Sequence, residues 1–223
     1  MIRACGREKS TIDLLGEAYL SQWAKEEHPV DIILASQSPR RKELMGQIGL
    51  KFKVVSPNVD EHVEGNPSPA QLVEELSLRK AQAVARQTGG DELIIAADTV
   101  VALEGTVLGK PEDERDAFSM LSALSGNRHY VYTGVTVIRG GRVEAQHEVT
   151  TVTFRELEPD EISHYIATGE PMDKAGAYGI QGLGALLVSG IDGDYFNVMG
   201  LPVYRLGRML AGFGVDLLAL AAR

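Results

Sequence analysis

The sequence is short of cysteine, of positive charge and of long apolar stretches. Its one cysteine is Cys5, which excludes an internal disulfide framework and a cysteine-built zinc site. Lys and Arg number 22 against 31 Asp and Glu, a formal net charge of −9. That balance argues against a general affinity for nucleic acid or an anionic membrane, because both recruit excess Lys and Arg. The longest apolar runs, Leu93–Ala97 and Leu217–Ala222, fall far below the roughly 18 residues needed to cross a bilayer. There is no Walker A pattern, no H-E-x-x-H and no G-x-S-x-G elbow. His28, His62, His129, His147 and His164 have no metal-ligand spacing. No internal repeat, low-complexity segment or Ser/Pro-rich linker divides the chain. What is present is ordinary for a globular protein: 223 residues, 44 % apolar and 24 % charged, long enough for one large domain or two small ones with a proper core.

Residues 1–29 read as an N-terminal helical extension. Ile12, Leu15, Tyr19 and Trp23 lie on one helix face, suited to docking on the core or on a second subunit. Arg3, Arg7 and Lys9 precede it, but Asp13, Gly16 and Glu17 interrupt any apolar stretch, so a secretory signal is not expected and the cytoplasm is the default location. Residues 30–223 read as a single two-lobed α/β domain with a mixed sheet. Asp31–Ala35 predicts a buried strand, and Ser38-Pro39 a helix start with Ser as cap. Phe52–Ser56 predicts a second strand, and Ser68-Pro-Ala-Gln71 a capping box opening a long helix. Glu92–Ala97 and Val100–Leu103 read as strands that Asp98-Thr99 separates. Glu104-Gly105 and Gly140-Gly141 mark hairpins. Helices are predicted around Ala117–Leu124 and Pro159–Thr168, and a last helical region from Leu201, broken near Gly212–Gly214. Residues 169–200 are glycine-rich.

In an acidic chain the placement of cations is informative. Ser36-Gln-Ser-Pro-Arg-Arg-Lys42 leaves a strand and opens a helix, where unpaired N–H groups and the helix dipole already favour an anion. The dipole disfavours bases at that end, so Arg40, Arg41 and Lys42 there point to an anionic ligand such as phosphate. Lys80 falls inside the apolar stripe set by Leu72, Val73 and Leu76; it either snorkels or holds an anion. Lys110 and Lys174 sit in loops. Asp98 closes the apolar run Leu93–Ala97, where a carboxylate is expensive unless it is paired, bound to metal or capping a turn. Asp60 and Glu61 lie in a polar loop.

Several segments together resemble the Maf family of nucleoside triphosphate pyrophosphatases: Ile33-Leu-Ala-Ser-Gln-Ser-Pro-Arg-Arg41, Ala96-Ala-Asp-Thr-Val100, Leu108-Gly-Lys-Pro111, Leu124-Ser-Gly126, Tyr132-Thr-Gly134, Asp173-Lys-Ala-Gly-Ala-Tyr-Gly-Ile-Gln-Gly182 and Asn197-Val-Met-Gly-Leu-Pro202. Gln37 and Gly109 depart from the usual family pattern. The resemblance implies a fold related to ITP pyrophosphatases, an elongated mixed sheet with flanking helices and two lobes around a nucleotide cleft. It implies cleavage of a nucleoside triphosphate to the monophosphate and pyrophosphate, with a divalent cation, Mg²⁺ or Mn²⁺. On the family pattern Asp98 is the catalytic acid, Ser36, Arg41, Lys80 and Lys110 bind phosphate, and Glu61 is the loop glutamate; Glu61 and Asp98 are the candidate metal ligands. Whether Asp98 is general base or metal ligand stays open. Arg40, Thr99 and Gln181 match the branch acting on dTTP and UTP rather than the branch acting on 7-methyl-GTP. A glutamine amide both donates and accepts, which suits the O4/N3–H edge of uracil or thymine. The expected partners are the nucleotide and a second copy of the chain, with no nucleic-acid polymer and no membrane. A 7-methyl-GTP enzyme and a nucleotide-binding regulator of cell division are the alternative readings.

Overall fold

The structure, a computed structural model, describes residues 30–221. The expected helix within residues 1–29 lies outside them. Seven strands form one mixed sheet in the order β2-β1-β3-β5-β6-β7, with β4 added to β3. The strands are β1 (Ile32–Leu34), β2 (Lys53–Val54), β3 (Leu93–Leu103), β4 (Thr106–Leu108), β5 (Arg128–Arg139), β6 (Arg142–Phe154) and β7 (Val188–Asp192). β1 runs parallel to β2 and β3, and the other pairings are antiparallel. The helices are α1 (Pro39–Gln47), α2 (Pro69–Ala85), α3 (Glu114–Leu124), α4 (Pro159–Ala167), α5 (Tyr195–Met199), α6 (Val203–Gly212) and α7 (Leu217–Ala221). None of them is long and apolar enough to cross a membrane.

The sequence signals mostly hold. The Ser68 box is complete: its hydroxyl accepts from Gln71 N–H, and the Gln71 side chain accepts from Ser68 N–H. The Glu104-Gly105 turn uses left-handed backbone at both residues, as a tight hairpin of this kind demands. Three readings change. The predicted strand Phe52–Ser56 shrinks to Lys53–Val54, both exposed. The hydroxyl of Ser38 makes no cap bond; Ser36 Oγ instead accepts from Ser38 N–H at 3.2 Å. Most important, Asp98 does not end a strand. β3 continues through it, because β5 pairs with β3 without interruption from Ile94 to Ala102, and cross-strand bonding outweighs one polar residue.

That continuous strand links two buried clusters. At its start, Ile94 and Ala96 pack with Ile33, Ala35, Ile138 and the α2 residues Ala81 and Val84. At its end, Val101 packs with Val131, Phe154 and the inward faces of α3 and α4. Side chains alternate along a strand, so Asp98 shares the α2 face with Ala96, and Thr99 points to the opposite face with Val101. α2 lies unusually close to the sheet. A Cβ on Gly134 would stand 2.1 Å from the Val73 carbonyl oxygen, the close backbone approach that a strand glycine permits.

Two predictions follow from this packing. Gly134→Ala must push α2 off the sheet and should cost about 3 kcal/mol or more, measured as a fall in urea midpoint. His129 is fully buried in the second cluster, and burial pushes its pKa down to about 4. An unfolded histidine titrates near 6.5, so the stability that the neutral ring contributes is intact above about pH 6.5 and is lost as pH falls toward 4, at no more than about 1.4 kcal/mol per pH unit. The stability gap between wild type and His129→Gln should therefore narrow between pH 7 and pH 4.5 in denaturant titrations.

Candidate active site

A cleft of about 690 Å³ opens where β1 ends and β3 passes from one cluster to the other. Its walls carry Ser36 and Ser38 from the β1–α1 turn, Arg40 and Arg41 from the first turn of α1, Glu61, Lys80 from α2, Asp98 and Thr99 from β3, Lys110, and Asp173 to Ile180 in part. The fold therefore gathers eight of the nine site residues that the sequence pointed to. The ninth, Gln181, follows the lining residue Ile180 and stands at the N-cap of a 3₁₀ segment at Gly182–Leu187; it is not part of the wall.

Lys80 turns inward and pairs with two carboxylates of the chain itself. Its Nζ donates to Asp98 Oδ1 at 2.5 Å and to Glu61 Oε1 at 2.6 Å. Asp98 and Lys80 side chains are each 11 % exposed, Glu61 63 %. A carboxylate in the middle of a buried strand is expensive, and here a cation reaches it along the apolar stripe of α2. The hydrogen bond from Lys80 holds the Glu61 carboxyl below the ordinary range against partial burial, with help from Lys110 and Arg41. Lys80 takes the Oδ1 atom of Asp98, Oδ2 makes no hydrogen bond among the described residues, and Asp98 lines the cleft.

Arg41 works on the opposite face of β3. Nε donates to the Gly200 carbonyl at 2.7 Å, Nη2 to Thr99 Oγ1 at 2.9 Å and Nη1 to Ser36 Oγ at 3.4 Å. Burial pulls its pKa down, and Asp98 opposes that pull. Ser36 Oγ accepts from both Ser38 N–H and Arg41, so its own proton is left for an anion. Lys110 is exposed and has no ion-pair partner among the described residues.

Arg40 meets a residue that single-residue reasoning passed over. Its Nη1 lies 3.8 Å from Asp173 Oδ2, across the cleft. Partial burial pushes the Asp173 carboxyl up, but Lys174 and Arg40 outweigh it and leave it low. Lys174, read only as a loop lysine, donates to the Glu170 carbonyl and to Asp173. Glu170 organises the glycine-rich stretch: its carboxylate accepts from Tyr165 Oη and from the N–H groups of Leu183 and Gly184. Tyr178 lines the cleft with its hydroxyl on His129 Nε2 at 2.8 Å and its ring edge-on to Phe154. Burial raises its pKa. The signal for these residues was the Asp173–Gly182 segment itself, whose glycines allow packing too tight for a side chain: a Cβ on Gly179 would stand 2.7 Å from Lys174 Cε.

A family profile described as Maf-like protein matches residues 31–213. The chain belongs to the Maf family. Among its relatives, a protein of Moorella thermoacetica named dTTP/UTP pyrophosphatase is 54 % identical over 187 residues, covering 83 % of this chain and 96 % of the relative. A protein of Dictyoglomus turgidum with the same name is 52 % identical over 193 residues, covering 84 % and 98 %. A solved structure described as nucleoside-triphosphatase / dITP/XTP pyrophosphatase from Mycobacterium abscessus aligns at 16 % identity with a TM-score of 0.42, over 82 % of this Maf chain and 97 % of the other.

The ion cluster gives a direct test. Lys80→Met removes the main cause of the low Glu61 titration, so the Glu61 carboxyl should titrate higher, toward the ordinary value of about 4.3. Carboxyl ¹³C NMR reads this shift, and an unmoved Glu61 would remove Lys80 as its principal partner.

Proposed function

We propose that this chain is a nucleoside triphosphate pyrophosphatase that cleaves dTTP and UTP to the nucleoside monophosphate and pyrophosphate. The observation that carries the proposal is the joint placement of a paired buried acid and separate anion-binding groups on one cleft. A module that only bound a nucleotide would need the cations but not Asp98. The names of relatives at about half identity support the same substrates.

In this reading Ser36 Oγ–H, the α1 N-terminus, Arg41 and Lys110 take the phosphate oxygens. Arg40 closes over the nucleotide from the side opposite Asp173. Asp98 Oδ2 accepts a hydrogen bond from the attacking water and orients it toward phosphorus for in-line displacement. Lys80 and the Asp98–Glu61 pair keep the remaining charge of the site fixed, so that little reorganises as the leaving pyrophosphate gains charge.

The donor set also fits a divalent cation. Glu61 and Asp98 both converge on one Lys80 nitrogen, and among the described residues no group of three or more His, Cys, Asp or Glu could hold a metal. Two carboxylates completed by phosphate oxygens and waters is the pattern expected for Mg²⁺ rather than for an all-protein cage. When bound, the ion would supply charge neutralisation on the phosphate oxygens. A homodimer in the cytoplasm remains the expected setting for this activity.

A nucleotide panel with Mg²⁺ or Mn²⁺ tests the proposal. UTP and dTTP should give monophosphate and pyrophosphate in equal amounts. Release of orthophosphate would make the protein a phosphatase, and preference for 7-methyl-GTP would place it in the other branch. Asp98→Asn should lower kcat by about 10²–10⁴-fold with little change in KM, measured by steady-state pyrophosphate release.

A further inference from the structure

On the face of β3 opposite Asp98, four polar groups form a chain that ends away from the cleft. Arg41 Nη2 lies 2.9 Å from Thr99 Oγ1, Thr99 Oγ1 lies 2.9 Å from Thr133 Oγ1, and Thr133 Oγ1 lies 3.0 Å from the backbone carbonyl oxygen of Asn197. Thr99 and Thr133 are direct cross-strand partners. Thr133 and Asn197 are fully buried, and of the two threonines Thr99 lines the cleft. The Asn197 carbonyl is fixed from behind, because its side-chain amide donates to the Val131 carbonyl and to Thr150 Oγ1.

The two ends of this chain settle the direction of every proton in it. A guanidinium can only donate and a carbonyl can only accept. Thr133 has one hydroxyl proton and places it on Asn197. Thr99 must then place its single proton on Thr133, while it accepts from Arg41. One lone pair of Thr99 Oγ1 is left, and no proton. A side chain that usually both donates and accepts is held as an acceptor alone. A phosphate oxygen without a proton has nothing to offer it.

Resting on the nucleotide reading above, we infer that Thr133 is a positioning residue for substrate selection: it commits Thr99 to accept, so the substrate group that meets Thr99 is an N–H or O–H of the nucleoside. For dTTP and UTP the groups available to both are the N3–H of the base and the 3′-OH of the sugar. The 2′-OH is excluded because dTTP lacks it. Cytosine, whose N3 carries a lone pair at neutral pH, would face lone pair against lone pair.

The test compares kcat/KM in two arms, UTP against CTP for the base and dTTP against 3′-fluoro-3′-deoxy-TTP for the sugar, since both alternatives replace a donor by an acceptor. Wild type should discriminate by about tenfold or more in one arm, as sites built to pair a polar group do. Thr133→Val keeps the shape but frees the Thr99 proton, and that ratio should fall about fivefold or more toward unity. Thr133→Ser restores the hydroxyl and should restore the ratio, which a purely packing role would not require. Thr99→Val deletes the acceptor outright and should collapse the same arm, covering the case in which Thr133→Val does not fold. Ratios unchanged in Thr133→Val, or lost equally in Thr133→Ser, overturn the role of Thr133 alone. A wild type that releases no pyrophosphate from UTP or dTTP overturns the nucleotide reading and this inference together.

Discussion

A carboxylate sits in the middle of a strand that is mostly apolar and buried, and much of the architecture answers to it. Asp98 is 8 % exposed, so it needs a cation at hydrogen-bonding distance. The cation comes from α2, whose inward stripe is broken by Lys80. For an ammonium on that stripe to reach β3, the helix must lie close on the sheet. Gly134, the cross-strand partner of Asp98, is the residue that lets it. The Tyr132-Thr-Gly134 segment thus supplies the closeness of α2 on one face through its glycine and the end of the polar chain on the other through its threonine.

The two faces of β3 divide the chemistry. Toward α2 lie Asp98, Lys80 and Glu61, a charged set. Toward α1 and α5 lie Thr99, Thr133 and Arg41, a set of directed hydrogen bonds anchored on Asn197 and Gly200. Adjacent residues on one strand serve both, because their side chains alternate. This keeps the acid from spending itself on the guanidinium: Arg41 feels Asp98 through space yet donates to neutral oxygens, which leaves the carboxylate to Lys80 and to the cleft.

Much of this was legible in the sequence, and the reasons differ by residue. Lys80 stood out because a lysine in an apolar stripe contradicts the pattern around it. Arg40 and Arg41 stood out because bases at a helix start oppose the dipole. The hairpins, the Ser68 box and the long helix follow from local rules that tertiary contacts reinforce. The unbroken course of β3 was hidden because Asp98-Thr99 reads as a stop, and only pairing with β5, from residues far along the chain, carries the strand through. Strand β7 and helix α5 were hidden in the glycine-rich stretch, where no period survives and where Glu170 supplies the order. Asp173, Thr133 and Asn197 are ordinary polar residues until the fold brings them to Arg40, Thr99 and one another.

The continuity of β3 has a mechanical meaning. Asp98 and Thr99 are consecutive residues of one strand, laddered to β5 from Ile94 to Ala102 and seated in a separate cluster at either end. Such a strand behaves as a beam clamped at both supports, and the cleft is cut across its middle. Asp98 and Thr99 therefore sit where the β5 ladder runs on in both directions, while Arg40 and Asp173 meet across the rim at 3.8 Å. Under the proposed function, a strand held in this way presents both groups to a nucleotide in a geometry already set during folding.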